Sequence, residues 1–430
     1  MIQELRFKNF LSFREESTFS FEADKSTEME DVQVVTMPDG VRLLKFAMVY
    51  GANASGKSNL LEAFDFLRHF WFYRTKDSDE GTNVSPFLLD KETPSQPSIF
   101  DIKFYVDGSK YWYHLEVDKN AVLEERLYLY KSVQPTLLFK RELENGISKL
   151  SFNPAVVKVS SVGQEKLEVE CLKNISFFAA KGNANIALGE IDKVREWIKG
   201  KILPEILPET HMFEYAERKL FDNDKLKLHI LDFIHKADFN ITDIRSEKSK
   251  QQISAGVMKI IMESSTLPDS EKEKIKQDGS FDTIKTTFIH KVNNGRGDEF
   301  YPLSPEQQSV GTRRLFGVES AIYDAISNSS FLTIDELESS LHPDLMEFVI
   351  EKFLQHKESH SQLLISTHCL DLLGLIGDLV RKDSVWFTEK EDSGNTDLYS
   401  LIEFSGINRM ASILKAYKNG KFGALPRLKE

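Results

Sequence analysis

An α/β fold is predicted by the sequence of 430 residues, with a mostly parallel core sheet, an antiparallel β lobe and a helical insertion. Three patterns predict it. A compact apolar run leads into a glycine-containing loop at Gly51, and residues with helical spacing follow. Alternating strands dominate residues 100–152, and apolar strands alternate with helices over residues 304–379. Repeated βα units are typical of a parallel sheet covered by helices.

Three segments divide the chain in this interpretation. Residues 1–160 form an N-terminal half with the glycine loop and the β lobe. Residues 161–284 form a mostly helical insertion, because charged and apolar residues mix at helical spacing over residues 185–265. Residues 264–280 are polar and predict a loop. Residues 285–430 form a C-terminal half.

The elements follow from the periodicity of the apolar residues. In the first half we expect two short strands in Met1–Phe21, a buried parallel strand ending at Tyr50 and a helix over Lys57–Tyr73. Asp107-Gly108 predicts a hairpin turn in the lobe. The lobe strands are expected at Phe100–Tyr105, Tyr111–Val117, Val122–Tyr130 and near Leu137–Phe152.

The later elements are expected to be shorter and to alternate in type. Helices in the insertion should cover Ile191–Ile198 and Lys225–Ala237, and a strand should cover Thr286–Val292. The C-terminal half should contain helix Gln308–Ser327, strand Phe331–Ile334, helix Asp344–His356, strand Gln362–Ser366 and helix Leu370–Leu379.

Composition limits the classes of function. Apolar residues make up 41% of the chain, which is enough for a sizeable core. The net charge of −12 argues against a dedicated binder of nucleic-acid phosphates, although a local basic groove stays open. No apolar stretch of about 18 uncharged residues occurs, so no membrane helix is expected. Cys171 and Cys369 are far apart and indicate neither a disulfide framework nor a zinc site. We expect a reduced, cytoplasmic protein that does not contact membranes.

The clearest chemical signal is Gly51–Ser58, which matches GxxxxGK[ST] between a predicted strand and a predicted helix. Glycine lets backbone N–H groups approach a phosphate, and the helix adds its positive N-terminal dipole. Lys57 would reach the outer phosphates of ATP, and the Ser58 hydroxyl would bind Mg²⁺. A glycine turn with a chance lysine is the alternative. The predicted nucleotide-binding residues here are Gly51, Ala52, Asn53, Ala54, Ser55, Gly56, Lys57, Ser58 and Asn59.

An apolar strand, Phe331–Ile334, ends in the second chemical signal, the acidic pair Asp335 and Glu336. Asp335 is placed to hold Mg²⁺, and Glu336 to orient the attacking water or accept its proton. Both residues would also suit the first turn of a helix, where carboxylates are favourable. A P-loop in the same chain favours nucleotide hydrolysis, with Glu336 and Lys57 as catalytic residues.

Several short sequences resemble one group of ATPases. NFLSF, GANASGKSN, QSVGTRRLF, FLTIDELESSLHP and ISTH resemble the ABC-type ATPases related to RecF, Rad50 and the OLD proteins. ADFNITDI (Ala237–Ile244) and YKNGKFGALP (Tyr417–Pro426) are similar to the RloA/AbiL ATPases of abortive-infection systems, which are close to the PARIS defence ATPase. The resemblance covers residues 1–130 and 285–430, and the middle only in patches. It implies an ABC-ATPase head.

The resemblance implies further site residues. Ser309, Gly311 and Thr312 lie in a segment similar to the ABC signature, which in this class binds the γ-phosphate held by a partner protomer. An ordinary helix start is the alternative there. Ser340–His342 resembles the D-loop of the dimer interface. His368 resembles the switch histidine that contacts the γ-phosphate, although a strand-end histidine is more often structural. The second glycine of the transporter signature is missing, and Gln96 is a Q-loop candidate by position only.

Taken together, these expectations describe an ATPase that binds ATP and Mg²⁺ between two protomers. The resemblance implies a homo-oligomer, dimeric or higher, that senses phage infection and controls a separate effector, an RloB-like or Toprim-like nuclease. One alternative is a RecF-like DNA-repair ATPase, which would bind nucleic acid. Another is a scaffold that binds ATP and hardly hydrolyses it. The sequence has no long coiled coil, no zinc hook and no Toprim-like acidic cluster after residue 380.

Overall fold

A computed structural model describes residues 1–237, 240–252 and 280–426, together with residues 256, 258, 262, 272 and 273. The chain divides into two compact units. The first combines Met1–Pro208 with Asp324–Glu430, and the second is Glu209–Tyr323. The sequence-based boundaries at residues 160 and 284 remain predictions of where the insertion begins and ends. Among the described residues we find no helix with the length and hydropathy of a membrane span.

The described part of the chain contains both strands and α-helices. The strands are β1 (Ile2–Lys8), β2 (Ser17–Ser20), β3 (Val34–Thr36), β4 (Arg42–Leu44), β5 (Phe46–Gly51), β6 (Ser98–Val106), β7 (Ser109–Val117), β8 (Val122–Tyr130), β9 (Pro135–Glu144), β10 (Ile147–Phe152), β11 (Ile241–Gln252), β12 (Ser280–Asn293), β13 (Asp298–Leu303), β14 (Phe331–Ile334), β15 (Gln362–Ser366), β16 (Val385–Lys390) and β17 (Thr396–Ser400). The α-helices are α1 (Glu30–Gln33), α2 (Lys57–Phe70), α3 (Ser161–Glu170), α4 (Phe177–Lys181), α5 (Glu190–Lys201), α6 (Phe213–Phe221), α7 (Asp224–Lys236), α8 (Val310–Asn328), α9 (Pro343–Gln355) and α10 (Ile413–Lys418).

The core sheet of the first unit has the strand order β14-β15-β5-β16-β17. The first four strands pair in parallel, and β17 is antiparallel to β16. All residues of β5, β14 and β15 are buried, which explains why these segments are continuously apolar in sequence. The predicted mostly parallel core sheet is confirmed.

The antiparallel lobe is a seven-stranded sheet with the order β10-β9-β8-β7-β6-β1-β2. Residues alternate between buried and partly exposed along β6, β7 and β8 because one face of the sheet covers the core. Asp107 and Gly108 have positive φ angles of 47° and 79°, as the tight turn of a twisted hairpin requires. The predicted lobe and its hairpin are confirmed.

Aromatic side chains join the lobe to the helix that follows the glycine loop. The ring centroid of Phe66, on α2, is 5.5 Å from that of Phe10 and 5.1 Å from that of Phe100, on β6. All three rings belong to one large hydrophobic cluster of the first unit. Burial of aromatic rings dominates the energetics of such cores, so this contact fixes α2 and with it the loop before it.

In the second unit, α6, α7 and the first part of α8 accompany the antiparallel sheet β11-β12-β13. The predicted helices are present as α5, in the first unit, and α7, in the second. The helical expectation for residues 185–265 is wrong over Ile241–Gln252, which is a strand. The strand β13 was also not predicted. Only Ile241 and Ile244 of β11 are fully buried apolar residues, so the segment lacks the alternation that identifies strands. The polar loop predicted for residues 264–280 lies almost entirely outside the described residues.

One helix of the C-terminal half is shorter than predicted. Residues Leu370–Leu375 form a 3₁₀ helix instead of the α-helix expected over Leu370–Leu379. Gly377 has a φ of 98°, and its N–H donates to the carbonyl of Val380. A left-handed glycine ends a helix, which accounts for the early stop.

Candidate functional site

The carboxyl ends of three neighbouring parallel strands meet at one edge of the core sheet. The strand β5 ends at Gly51, β14 ends just before Asp335, and β15 ends at Ser366. Because β15 lies between the other two, the glycine loop and the acidic pair are separated by two strand spacings, roughly 10 Å. The two motifs that the sequence singled out therefore share one edge.

The glycines of the loop are required by close packing. A Cβ atom on Gly56 would lie 2.5 Å from Thr396 Oγ1, and Gly56 has a φ of 112°. A Cβ atom on Gly51 would lie 2.5 Å from the carbonyl oxygen of Thr388. Neither position could hold a larger residue without moving the loop, which fits the predicted role of a backbone cradle.

The glycine loop has exposed residues and buried residues. Asn53, Ala54 and Ser58 are exposed, whereas Ser55 and Lys57 are buried. Among the described residues, no side chain caps the N-terminus of α2, which begins at Lys57. The first N–H groups of that helix are thus available to an anion, as phosphate binding requires.

A chain of hydrogen-bonded polar side chains supports the glycine loop. Asn59 Nδ2 donates to Ser12 Oγ at 2.7 Å, Ser12 Oγ lies 2.7 Å from Thr396 Oγ1, and Thr396 Oγ1 donates to Ser55 O at 2.8 Å. Ser55 Oγ lies 2.6 Å from Thr388 Oγ1. Sequence reasoning missed Ser12, Thr388 and Thr396 as supports. Ser12 lies within the NFLSF segment, which offered a signal, but the two threonines had none.

Lys57 is held by three acceptors. Its Nζ lies 3.2 Å from the carbonyl oxygen of Gly51, 3.4 Å from that of Ala52 and 2.8 Å from His368 Nε2. A protonated lysine only donates, so Nε2 of His368 is the acceptor and the ring proton lies on Nδ1. The P-loop lysine and the predicted switch histidine are in direct contact.

The acidic pair is fixed by Ser366. The Ser366 hydroxyl donates to Asp335 Oδ1 and accepts from the backbone N–H of Glu336 at 2.9 Å. The Asp335 N–H donates to the carbonyl of Ile206 at 2.8 Å. Glu336 has a φ of 45°, a left-handed conformation that non-glycine residues rarely adopt and that is frequent at functional sites. Ser366 is fully buried, and sequence reasoning had given it no role.

The charges of the site act on one another. Burial lowers the pKa of Lys57, and the negative charges of Asp335, Glu336 and Glu338 oppose this. Burial and the neighbouring Lys57 lower the pKa of His368, against the same three carboxylates. One ammonium group, one imidazole and three carboxylates thus form a single electrostatic cluster. Such a set fits a triphosphate, which Lys57 would bind. It also fits a divalent cation, which Asp335 and the exposed Ser58 hydroxyl would hold.

The signature-like residues lie in the second unit, whereas the P-loop and the acidic pair belong to the first. Ser309 Oγ accepts from the Thr312 N–H at 3.0 Å and lies 2.8 Å from Thr312 Oγ1. Ser309 therefore caps α8, in which Gly311 occupies the first turn and the neighbouring Val310 is 60% exposed. A capped helix start agrees with an ABC-signature segment and also with the alternative, an ordinary helix start.

The remaining candidates have structural contacts. Ser340 is exposed and has a φ of 62°, and His342 Nδ1 accepts from the Asp344 N–H at 3.3 Å, which caps α9. Gln96 is exposed, and its carbonyl oxygen accepts from Asn9 Nδ2 at 3.0 Å. A role for these residues in nucleotide binding stays a prediction.

Comparisons with known proteins add a family. A family model described as "AAA domain, putative AbiEii toxin, Type IV TA system" matches residues 46–155 and 204–373. A search of curated proteins gives no match. The solved "SMC head domain from Thermotoga maritima" is 13% identical with a TM-score of 0.41, and the alignment covers 93% of this chain and 98% of that chain. The solved "SmcHead bound to the C-winged helix domain of ScpA" is 12% identical with a TM-score of 0.42, covering 95% and 99%. At these scores neither likeness supports a conclusion about function.

Removal of the Ser366 hydroxyl should loosen the acidic pair. Ser366→Ala leaves Asp335 Oδ1 and the Glu336 N–H without this partner, so we expect a loss of about 1–3 kcal/mol in the free energy of unfolding. Urea denaturation measures it. The exposed Ser405→Ala serves as control and should change stability by less than about 0.5 kcal/mol. Equal stability of the two variants would show that the Ser366 contacts contribute nothing.

His368 should be neutral at pH 7, with its pKa below the usual value of about 6.5. Lys57→Met removes a positive neighbour and should raise that pKa. Because burial, and after it the charge of Lys57, disfavours the imidazolium in the folded state, His368 contributes stability above its unfolded pKa of about 6.5, and this stability is lost as the pH falls through the lower folded pKa. Nuclear magnetic resonance of labelled histidine, assigned with His368→Ala, measures the titration. An unchanged or lowered pKa in Lys57→Met would contradict the contact.

Proposed function

We propose that this chain, which belongs to the family described as "AAA domain, putative AbiEii toxin, Type IV TA system", binds ATP with Mg²⁺ at Gly51–Ser58 and hydrolyses it. One observation carries the proposal: Lys57 and His368 lie in contact, within the field of Asp335 and Glu336, at the edge where the glycine loop opens. The family match includes the loop, the acidic pair and the histidine.

The phosphates would replace the present partners of Lys57. Its ammonium group is bonded to two neutral carbonyls and a neutral imidazole, which a charged phosphate oxygen can displace because charge-assisted hydrogen bonds are stronger. The displacement frees His368 Nε2, which would bond the phosphate once the ring proton has moved from Nδ1 to Nε2, because a phosphate oxygen only accepts. The histidine is therefore proposed as the group that contacts the γ-phosphate.

Glu336 is proposed to orient the attacking water and accept its proton. Its left-handed backbone and its N–H bond to Ser366 fix the direction of the side chain, which stays partly exposed. Asp335 and Ser58 would hold Mg²⁺, which neutralises charge on the phosphates. The Ser366 hydroxyl keeps the Asp335 carboxylate in one orientation, as outer partners of metal ligands do.

A homodimer completes the proposed site. Ser309, Gly311 and Thr312 would face the γ-phosphate of ATP bound to a partner protomer, where the N-terminus of the 19-residue helix α8 favours an anion. ATP would then hold two copies together, and its hydrolysis would release them.

The biological role is proposed from resemblance. The RloA/AbiL-like segments and the family description support a cytoplasmic sensor or regulator in an anti-phage, abortive-infection system that controls a separate effector protein. The net charge of −12 disfavours the DNA-repair alternative, because binding to nucleic-acid phosphates requires positive charge.

Substitutions in the two motifs should separate binding from turnover. Lys57→Ala removes a charged hydrogen-bond donor and should weaken ATP affinity about 10–100-fold. Glu336→Gln should leave affinity unchanged and lower kcat about 10²–10⁴-fold, the usual contribution of general-base catalysis. Titration calorimetry and phosphate release measure the two quantities, with the exposed Glu347→Gln on α9 as control. Wild-type turnover in Glu336→Gln would remove this residue from the mechanism.

A substitution that preserves the helix cap tests the dimer. In a Glu336→Gln background, ATP should double the mass from 49.3 kDa, as measured by light scattering. Ser309→Asp keeps a good N-cap but opposes a phosphate, so this variant should stay monomeric. Ser309→Asn, which caps equally well without charge, should dimerise. Equal dimerisation of the Asp and Asn variants would exclude Ser309 from the interface.

A further inference from the structure

The loop after β14 is tied to the segment that carries His368. Two bonds reach the last residue of β15: the Glu336 N–H donates to Ser366 Oγ at 2.9 Å, and the Leu337 N–H donates to the Ser366 carbonyl at 3.3 Å. A third bond reaches beyond the strand, because the backbone N–H of His368 donates to Glu338 Oε1. Glu338 is thus a side-chain connection between the acidic loop and the switch histidine.

The loop itself is rigid enough to make this connection specific. The Ser339 N–H donates to the Glu336 carbonyl at 2.8 Å, and the Leu341 N–H donates to the Glu338 carbonyl at 2.9 Å. Leu337 is fully buried and anchors the loop in the core. Glu338 therefore leaves a backbone that is fixed on both sides, and its carboxylate holds a defined position.

The hydrogen bond to the His368 backbone uses one carboxylate oxygen of Glu338. Glu338 Oε2 is buried and has no hydrogen-bond partner within the described part of the chain. The charge of Glu338 opposes the effect of burial on the pKa of both Lys57 and His368, so it faces the cationic end of the site. Lys57 nevertheless bonds to two carbonyls and to His368. Glu338 and Lys57 therefore both bond to His368, Glu338 to its backbone N–H and Lys57 to its ring.

We propose that Glu338 is a positioning residue, whose carboxylate fixes the backbone of His368 so that the imidazole faces Lys57 and, once ATP is bound, the outer phosphate. This inference rests on the proposed ATPase function and adds a residue that acts through another. Glu338 itself contacts neither the water nor the phosphate. Without it, the segment after β15 loses its side-chain link to the acidic loop, and the histidine is no longer held at the reacting end of the nucleotide.

Two variants separate the hydrogen bond from the bulk of the side chain. Glu338→Ala removes the acceptor and should lower kcat by up to about 100-fold, as misplacement of a reacting group does, with ATP affinity changed less than threefold. Glu338→Gln keeps an oxygen for the His368 N–H and should restore most of the turnover. The exposed Glu347→Ala is the matched control. Wild-type turnover in Glu338→Ala, or no rescue by Gln, overturns the proposal.

A double-mutant cycle identifies the partner. If Glu338 acts through the histidine, Glu338→Ala should have no further effect on kcat in a His368→Ala background. Additive losses in the two variants would overturn the proposal, because they would assign Glu338 a role of its own.

A second readout is independent of turnover. The imidazole resonances of His368 should shift in Glu338→Ala and remain near their wild-type positions in Glu338→Gln, both in the absence of nucleotide. Unchanged resonances in the Ala variant overturn the positioning role. If the wild-type protein does not hydrolyse ATP, the proposed function fails, while this measurement still decides whether Glu338 holds His368.

Discussion

The parallel pairing of β15 with β5 on one side and β14 on the other is the constraint on which the site depends. Its register places Ser366 beside Val49 and Ile365 beside Ile334, so the three strands end together. A shift of one residue would turn each side chain to the opposite face, and the Ser366 hydroxyl would lose Asp335. Every residue of the three strands is buried, so a shift would also disrupt the packing on both faces of the sheet.

The neutral partners of Lys57 are the second property of this edge. Lys57 is buried, and its three protons already have acceptors in the chain. The carboxylates nearby are oriented by Ser366 and by the backbone of His368 rather than by the lysine. Because its partners are neutral, the Lys57 ammonium group can exchange them for a phosphate while the carboxylates keep their positions. A site that is arranged in this way before the ligand binds is preorganised.

The sequence by itself determined the elements whose signals are local. The strands β14 and β15 were predicted to the residue, and the antiparallel lobe was predicted with its Asp107-Gly108 turn, because alternation and turn chemistry act over a few residues. The P-loop and the acidic pair were recognised for the same reason, since each is a short pattern at the end of an apolar strand. The polar strand Ile241–Gln252 carries no such pattern and was missed.

Only the tertiary structure decided which distant residues support the site. Thr388 and Thr396 reach the P-loop from more than 330 positions away, and Ser12 joins them from the start of the chain. Residues 202–206 extend the core sheet beside β14, where the Ile206 carbonyl accepts from the Asp335 N–H. Glu338 reaches His368 in the same way. A hydroxyl, a carbonyl or a carboxylate has no periodicity of its own, so its partner is set by strand order and register, which are properties of the folded chain.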